Sequence, residues 1–194
     1  MNFSTIKKLC LTSAVALTMF ASQGAFAQST ATANVPASFS TAAGITAAAV
    51  NTLTFGTWLV VVGGADTPTI TIPAGSGAPS VPTPTNASSS TVSNVVAPTT
   101  RGSATVTSPV TGTVYLTAAV TDFTNVNLTL SAPTYSVGGS PSAAIPTTGT
   151  TAPIATTASV ATTVDIGGTI TIGNAGLPFN TSFTDGVINL TFTL

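Results

Sequence analysis

Asp185–Leu194, with the sequence DGVINLTFTL, is the stretch that decides the fold class. Its apolar side chains Ile188, Leu190, Phe192 and Leu194 alternate with Asn189, Thr191 and Thr193. A period of two is typical of a β-strand with one buried face. A strand this apolar is normally paired inside a sheet, because an unpaired one would expose backbone groups that can pair with another chain and lead to aggregation. We therefore predict a β-strand here that is paired within a sheet and has Leu194 on its buried face.

The composition of the whole chain favours the same fold class. The 194 residues are 43% hydrophobic and only 4% charged, and they include no His and no Glu. Thr and Val are abundant, and their β-branched side chains suit strands better than helices. Too few Glu, Lys, Gln and Arg residues are present to cover the outer face of amphipathic helices. We therefore predict an all-β protein.

The first residues have the pattern of a secretory signal. Lys7 and Lys8 precede the apolar run Leu9–Phe20, and Ala25-Phe26-Ala27 supplies small residues for cleavage. The run is too short to span a membrane, although a retained anchor is the alternative. We predict a signal peptide over residues 1–27, a single domain over 28–194, and export to the periplasm, the outer surface or the extracellular space.

Cleavage after Ala27 leaves a chain without Cys or Lys. The charged side chains that remain are one Arg and four Asp, which give a net charge of about −3 near neutral pH. Binding to nucleic acid or to anionic lipid requires clustered Lys and Arg. We therefore predict no nucleic-acid partner, and because the apolar run of the signal is too short to cross a bilayer, no membrane span in the mature chain.

Runs of β-favouring residues, separated by turn residues, recur along this chain. Leu53–Val62 and Thr69–Pro73 flank a Gly-Gly-Ala-Asp turn and predict a hairpin. Residues 74–100 are rich in Pro, Ser and Thr and predict a long loop with a short strand near Val92–Val96. Residues 42–50 fit a helical turn, a strand or a loop. The count is roughly eight to ten short strands, which fits a sandwich or a barrel, and we predict an antiparallel β-sandwich of the Ig-like or pilin-like kind.

Four motifs occur in a characteristic order: Leu53-Thr54-Phe55-Gly56, Thr69–Gly75, Ile166–Ile172 and the terminal strand after Asp185-Gly186. In this respect the chain resembles the secreted family catalogued as domain of unknown function 4402, and more distantly pilin-like β-sandwich proteins. The resemblance implies an exported β-sandwich of Gram-negative bacteria with no catalytic residues. The chain departs from the family pattern at Leu194, where an aromatic residue is expected, and in its long insertion after Gly75.

The mature chain lacks the groups that catalysis usually needs. A Ser or Thr nucleophile needs a base, and no His, Lys or Glu is available to act as one. A carboxylate pair of the glycosidase kind would come from Asp66, Asp122, Asp165 and Asp185. Each of these lies beside turn residues or a strand end, where Asp commonly caps a turn. We predict no catalytic residues, no cofactor and no enzymatic activity.

Calcium is the best of the weak metal hypotheses, because it accepts oxygen ligands from Asp, Asn and carbonyl groups. Asp122, Asn125 and Asn127 are close enough in sequence to share a loop. They lack the spacing of a calcium-binding loop, and ordinary Asx bonding in a turn is the favoured alternative. No metal site is predicted.

Two classes of function remain. In the first, the chain is a surface or structural protein, fimbria-like or adhesive, that assembles with copies of itself. Its weakly charged surface lacks the edge lysines that keep sheets apart. Strand addition would use the arm Ala31–Phe39, interrupted by Pro36, or the C-terminal strand. The alternative for the arm is pairing within its own domain.

The second class is a binding module for carbohydrate, ice or another surface ligand. Thr69-Ile70-Thr71 and Thr169-Ile170-Thr171 predict rows of hydroxyl groups, although no fixed repeat stacks such rows in the sequence. Sugar binding favours exposed aromatic residues, and Trp58, Tyr115 and Tyr135 offer few. An exposed array of Thr or aromatic side chains would favour this second class.

Overall fold

The computed structural model describes residues 29–41, 44–63, 67–75, 91–96, 99–178 and 181–194, so the predicted signal peptide lies outside the described residues. Within these ranges the chain forms fourteen strands and no helix, which confirms the all-β prediction. In chain order they are β1 (Ser29–Val35), β2 (Ala37–Thr41), β3 (Thr46–Asn51), β4 (Leu53–Val61), β5 (Thr69–Ile72), β6 (Thr91–Val96), β7 (Gly102–Thr107), β8 (Gly112–Thr121), β9 (Leu128–Val137), β10 (Ala143–Ala144), β11 (Ala152–Thr156), β12 (Ala161–Ile172), β13 (Thr181–Phe183) and β14 (Val187–Thr193). The count exceeds the predicted eight to ten because Pro36 divides one run into β1 and β2, and because β10 and β13 have only two and three residues.

The strands form three sheets. Sheet 1 has the order β13-β1-β4-β6, sheet 2 the order β10-β9-β12-β7-β3 with β5 also on β12, and sheet 3 the order β11-β8-β14-β2. The pairs are antiparallel except for β1 with β13 and β2 with β14, which are parallel. The predicted antiparallel sandwich is therefore confirmed, with a parallel pair added at two places.

The C-terminal strand β14 is paired on both sides, antiparallel with β8 and parallel with β2. Ile188, Leu190 and Phe192 are at most 1% exposed, as the alternating pattern predicts. The prediction for Leu194 is wrong, because this side chain is 52% exposed. Strand pairing ends at Thr193 opposite Tyr115, so Leu194 lies beyond the last pair that β14 makes with the described strands.

A continuous apolar core joins the sheets. A Cβ on Gly168 would lie 3.5 Å from a Leu53 methyl and 3.8 Å from methyls of Ile188 and Leu130, so β4, β14 and β9 meet over this point of β12. Trp58 is 2% exposed, and its ring N–H donates to the carbonyl of Phe55. The tryptophan is therefore a packing residue of the core.

None of the described residues belongs to a helix long and apolar enough to cross a membrane.

The predicted hairpin of Leu53–Val62 with Thr69–Pro73 is wrong. Strand β4 pairs with β1 and β6, whereas β5 pairs with β12 in another sheet. Another strand therefore occupies each side of β4, so β5 does not pair with it. On β12, Ile70 and Ile72 of β5 are at most 1% exposed. The short strand expected near Val92–Val96 is confirmed as β6, and residues 42–50, left open by the sequence, include most of strand β3.

Candidate functional site

Of the four carboxylates considered for catalysis, Asp122 and Asp185 take part in turn bonding. Asp66 lies outside the described residues, and Asp165 lies within β12. Asp122 and Asp185 are brought together at one end of the sandwich. Asp122 Oδ1 accepts hydrogen bonds from the backbone N–H groups of Phe123, at 2.9 Å, and Leu130, at 2.7 Å.

Asp185, at the same end of the sandwich, accepts two hydrogen bonds from Thr124. Its Oδ2 accepts from the Thr124 N–H at 2.8 Å and from the Thr124 hydroxyl. The hydroxyl bond, followed by the backbone bond, lowers the pKa of Asp185 below its ordinary value of 3.8. A carboxyl group held ionised in this way suits a turn cap better than it suits a general acid.

The residues considered for calcium also take part in turn bonding. Asn125 Oδ1 accepts from the Asn127 N–H at 2.9 Å, and the Asn127 carbonyl accepts from the Gly173 N–H at 2.8 Å. Asn125 therefore makes the Asx bond that was the favoured alternative to calcium binding. Within the described ranges, no three His, Cys, Asp or Glu side chains come together as metal ligands would.

One open groove of about 280 Å³ lies between β9, β10 and β11. Its volume falls just below the roughly 300 Å³ at the lower limit for small-molecule sites. The hydroxyl groups of Ser136 and Ser140 donate to backbone carbonyls at 2.6 and 2.7 Å. The Tyr135 hydroxyl contacts the Pro153 carbonyl at 3.5 Å. The groove therefore has few polar groups to offer a ligand.

The N-terminal arm pairs within its own chain. Strand β1 lies between β4 and β13 in sheet 1, and β2 lies beside β14 in sheet 3. At the break between them, the Pro36 carbonyl accepts from the Ile188 N–H at 3.3 Å. The arm therefore crosses from one sheet to another, and β2 covers the edge of β14 that a donor strand would need.

Strand β3 forms an edge of sheet 2, with β7 as its one paired neighbour among the described strands. Its sequence, TAAAVN, contains no charge and no proline, and neither does the sequence of β7. Thr46, Ala48, Ala49, Val50 and Asn51 are exposed, so both faces of the strand reach solvent. Of the other edges among the described strands, β10 and β13 are very short and Pro153 interrupts β11, whereas β2 and β6 also lack charge and proline. Strand β3 is thus a good acceptor for a further strand.

A second surface consists of hydroxyl groups on the outer face of sheet 2. Strands β5, β12 and β9 place six side chains there in two rows, which we call the hydroxyl array: Thr71, Thr169 and Ser131 in one row, and Thr69, Thr171 and Thr129 in the other. Thr71 and Thr129 are exposed, and the other four are half-buried. The intervening residues Ile70, Ile170 and Leu130 are buried beneath the array. A partly exposed Thr array of this kind favours a binding module.

Comparisons of the chain with protein-family models, with curated proteins and with solved structures found no match. The resemblance to domain of unknown function 4402 and to pilin-like proteins therefore stays a prediction.

Sequence reasoning identified two strands of the hydroxyl array but not the array itself. The third strand, β9, contributes Thr129 and Ser131, and its place beside β12 depends on the sheet order. The edge position of β3 was missed for the same reason. No local signal in residues 46–51 distinguishes this edge strand, since the interior strand β7 also lacks charge and proline.

Proposed function

We propose that the protein is a non-enzymatic, exported surface protein that assembles with copies of itself through strand pairing, as a fimbria-like or adhesive subunit does. The pattern of residues 1–27 supports export to the periplasm, the outer surface or the extracellular space. The shortage of acid–base groups in the mature sequence and the turn bonding of Asp122 and Asp185 support a role without catalysis.

The observation that carries the proposal is the uncharged edge strand β3. Backbone N–H and C=O groups on its outer side can pair with an edge strand of a second copy, which would extend sheet 2 across the two chains. Natural edge strands usually carry Lys, Pro or a bulge that prevents such pairing. In β3 the one irregularity lies between Ala49 and Asn51, so Thr46–Ala49 forms a regular edge.

Exchange of the arm is a second route to assembly. The C-terminal strand β14 can accept a strand from another copy only where β2 of its own chain has left. Because β1 and β2 precede β3 by a short connection, an exchanged arm would leave the rest of the fold in place. This route requires that the pairs made by β1 and β2 be broken first, whereas pairing at β3 requires no such step.

Sedimentation velocity over a range of protein concentrations tests the proposal. The wild-type protein should self-associate, and A48K/V50K, which places two lysines on the exposed edge, should remain a monomer. The matched control is A119K/V126K, with the same two residue changes at exposed positions in β8 and in the loop before β9. The control should associate like the wild type. A monomeric wild type, or equal association in both variants, would contradict the proposal.

A secreted binding module for carbohydrate or another surface ligand is the second candidate function. The hydroxyl array supports it, since six Thr and Ser side chains share one solvent-facing patch. The two functions are compatible, because β3 and the array occupy different parts of sheet 2.

A further inference from the structure

The hydroxyl array has a regular geometry that strand pairing dictates. Residues paired directly opposite one another in a sheet project to the same face, so each row crosses three strands. Thr169 pairs with Thr71 on one side and Ser131 on the other, and Thr171 pairs with Thr69 and Thr129. The hydroxyl groups of Thr71 and Thr169 are 2.9 Å apart and hydrogen-bonded, which shows that the row is in register.

The spacing of the array resembles that of a water lattice. Neighbouring strands lie about 4.8 Å apart, and alternate residues of one strand lie about 6.7 Å apart. Water molecules hydrogen-bonded at about 2.75 Å in tetrahedral geometry have second-neighbour oxygens about 4.5 Å apart. Across the strands, the backbone therefore places successive residues of a row at nearly the second-neighbour interval of ordered water, and the Thr71 and Thr169 hydroxyl groups, 2.9 Å apart, are separated by about one water–water hydrogen bond.

The chemistry of the array favours the same ligand. None of its six residues is charged or aromatic, so a charged ligand would find no counter-charge and a sugar ring no stacking partner. Tyr135, the nearest aromatic residue on β9, is paired with the buried Ile166 and packs against the core. Five of the six residues are Thr, whose methyl group repels disordered water while the hydroxyl group holds an ordered molecule.

We propose that the hydroxyl array binds the surface of ice, with the ordered water lattice as its ligand. The proposal is independent of self-assembly, because one copy carries a complete array. Assembly would nevertheless strengthen adsorption, since several arrays could engage one crystal surface.

Inhibition of ice recrystallisation tests the proposal, with the mean crystal size in annealed frozen samples as the readout. The wild type should slow crystal growth, and T169K/T171K should need at least about tenfold more protein for the same effect, because hydrated lysines would disrupt the centre of the array. The matched control is T117K/T191K, which changes two half-buried Thr residues paired on the outer face of sheet 3. This control should retain the wild-type effect.

Thermal melting of each variant shows whether it is folded, and T169V/T171V, which keeps the side-chain shape, replaces the lysine variant if that one does not fold. An inactive wild type would overturn the proposal, as would equal activity in the array variant and the control. Adsorption to cellulose powder is measured in parallel. Binding to cellulose that requires Thr169 and Thr171, without any effect on ice, would assign the array to a polysaccharide instead.

Discussion

Gly167 lies where β5, β9 and β12 meet, and the space around it excludes a side chain. A Cβ at this position would be 2.2 Å from the Ile72 carbonyl oxygen and 2.6 Å from the Ala74 nitrogen. Because both atoms belong to the backbone, neither can move aside without shifting β5. We expect Gly167→Ala to lower the free energy of unfolding by about 2–3 kcal/mol in urea denaturation.

Gly112→Ala is the control for this prediction, since a Cβ on Gly112 would meet nothing within 4 Å. It should leave stability unchanged within about 1 kcal/mol. Equal effects of the two substitutions would show that Gly167 is not constrained as described.

Asp185 gives a prediction for the dependence of stability on pH. Its pKa is lowered in the folded state by the hydrogen bonds from Thr124, so it stabilises the fold above its ordinary pKa of 3.8. The contribution is lost as the pH falls through the folded-state pKa. We expect Asp185→Asn to have a lower free energy of unfolding than the wild type at pH 6.5, by less than about 1 kcal/mol because the group is exposed, and this difference to shrink as the pH falls below 3.8.

Thr124→Ala provides an independent check, because it removes the hydroxyl donor and leaves Asp185 in place. Its melting temperature should also approach that of the wild type at low pH. A gap that stays constant with pH would show that the bond to Thr124 does not depend on the charge of Asp185.

At the scale of residues, the sequence predicted what depends on local alternation. Ile188, Leu190 and Phe192 are buried as expected because their positions repeat with the period of a strand. The exposure of Leu194 could not be predicted in this way, since it depends on where the pairing of β14 with β8 and β2 stops, at Thr193 and Phe192. The constraint on Gly167 comes from β5, which is distant in sequence.

At the scale of elements, the arm gives the next prediction. Ala37 on β2 is paired with Ile188 on β14, close enough for a disulfide if both become cysteine. After export no other thiol is expected, because Cys10 lies in the predicted signal peptide. We expect oxidised A37C/I188C to run as a monomer on a non-reducing gel, to have no free thiol, and to be more stable than the same variant in its reduced form by roughly 2–4 kcal/mol.

The single variant Ala37→Cys is the control, and it should retain one free thiol. A ladder of covalent multimers from the double variant would contradict the pairing of the arm within its own chain. It would show instead that β2 is donated to a neighbouring copy.

Strand pairing is the part of the fold that the sequence did not specify. Two adjacent β-rich runs with a Gly-Gly turn favour a hairpin, yet β5 pairs with β12, about a hundred residues further along the chain. Non-local pairing is set by which apolar faces must be buried together, and local propensity has no information on that choice. The hydroxyl array was incompletely predicted for this reason, although two of its three strands could be recognised.

At the scale of the whole molecule, the low charge has a consequence for association. The complete chain carries three basic and four acidic residues among 194, so charge repulsion between copies is weak. Association through β3 should depend little on salt, because no ion pair takes part. Sedimentation at low and at high ionic strength should give the same association constant within about threefold, whereas electrostatic assembly would weaken sharply with added salt.

Amide hydrogen exchange of the purified protein, at low and at high concentration, tests the central claim most directly. Pairing at the edge of sheet 2 should slow exchange in Thr46–Asn51 at high concentration, while β11, interrupted by Pro153, should exchange equally at both concentrations. Protection that rises with concentration in β3 is the result that self-assembly through this strand predicts. Unchanged exchange in β3, or new protection confined to other strands, would contradict it.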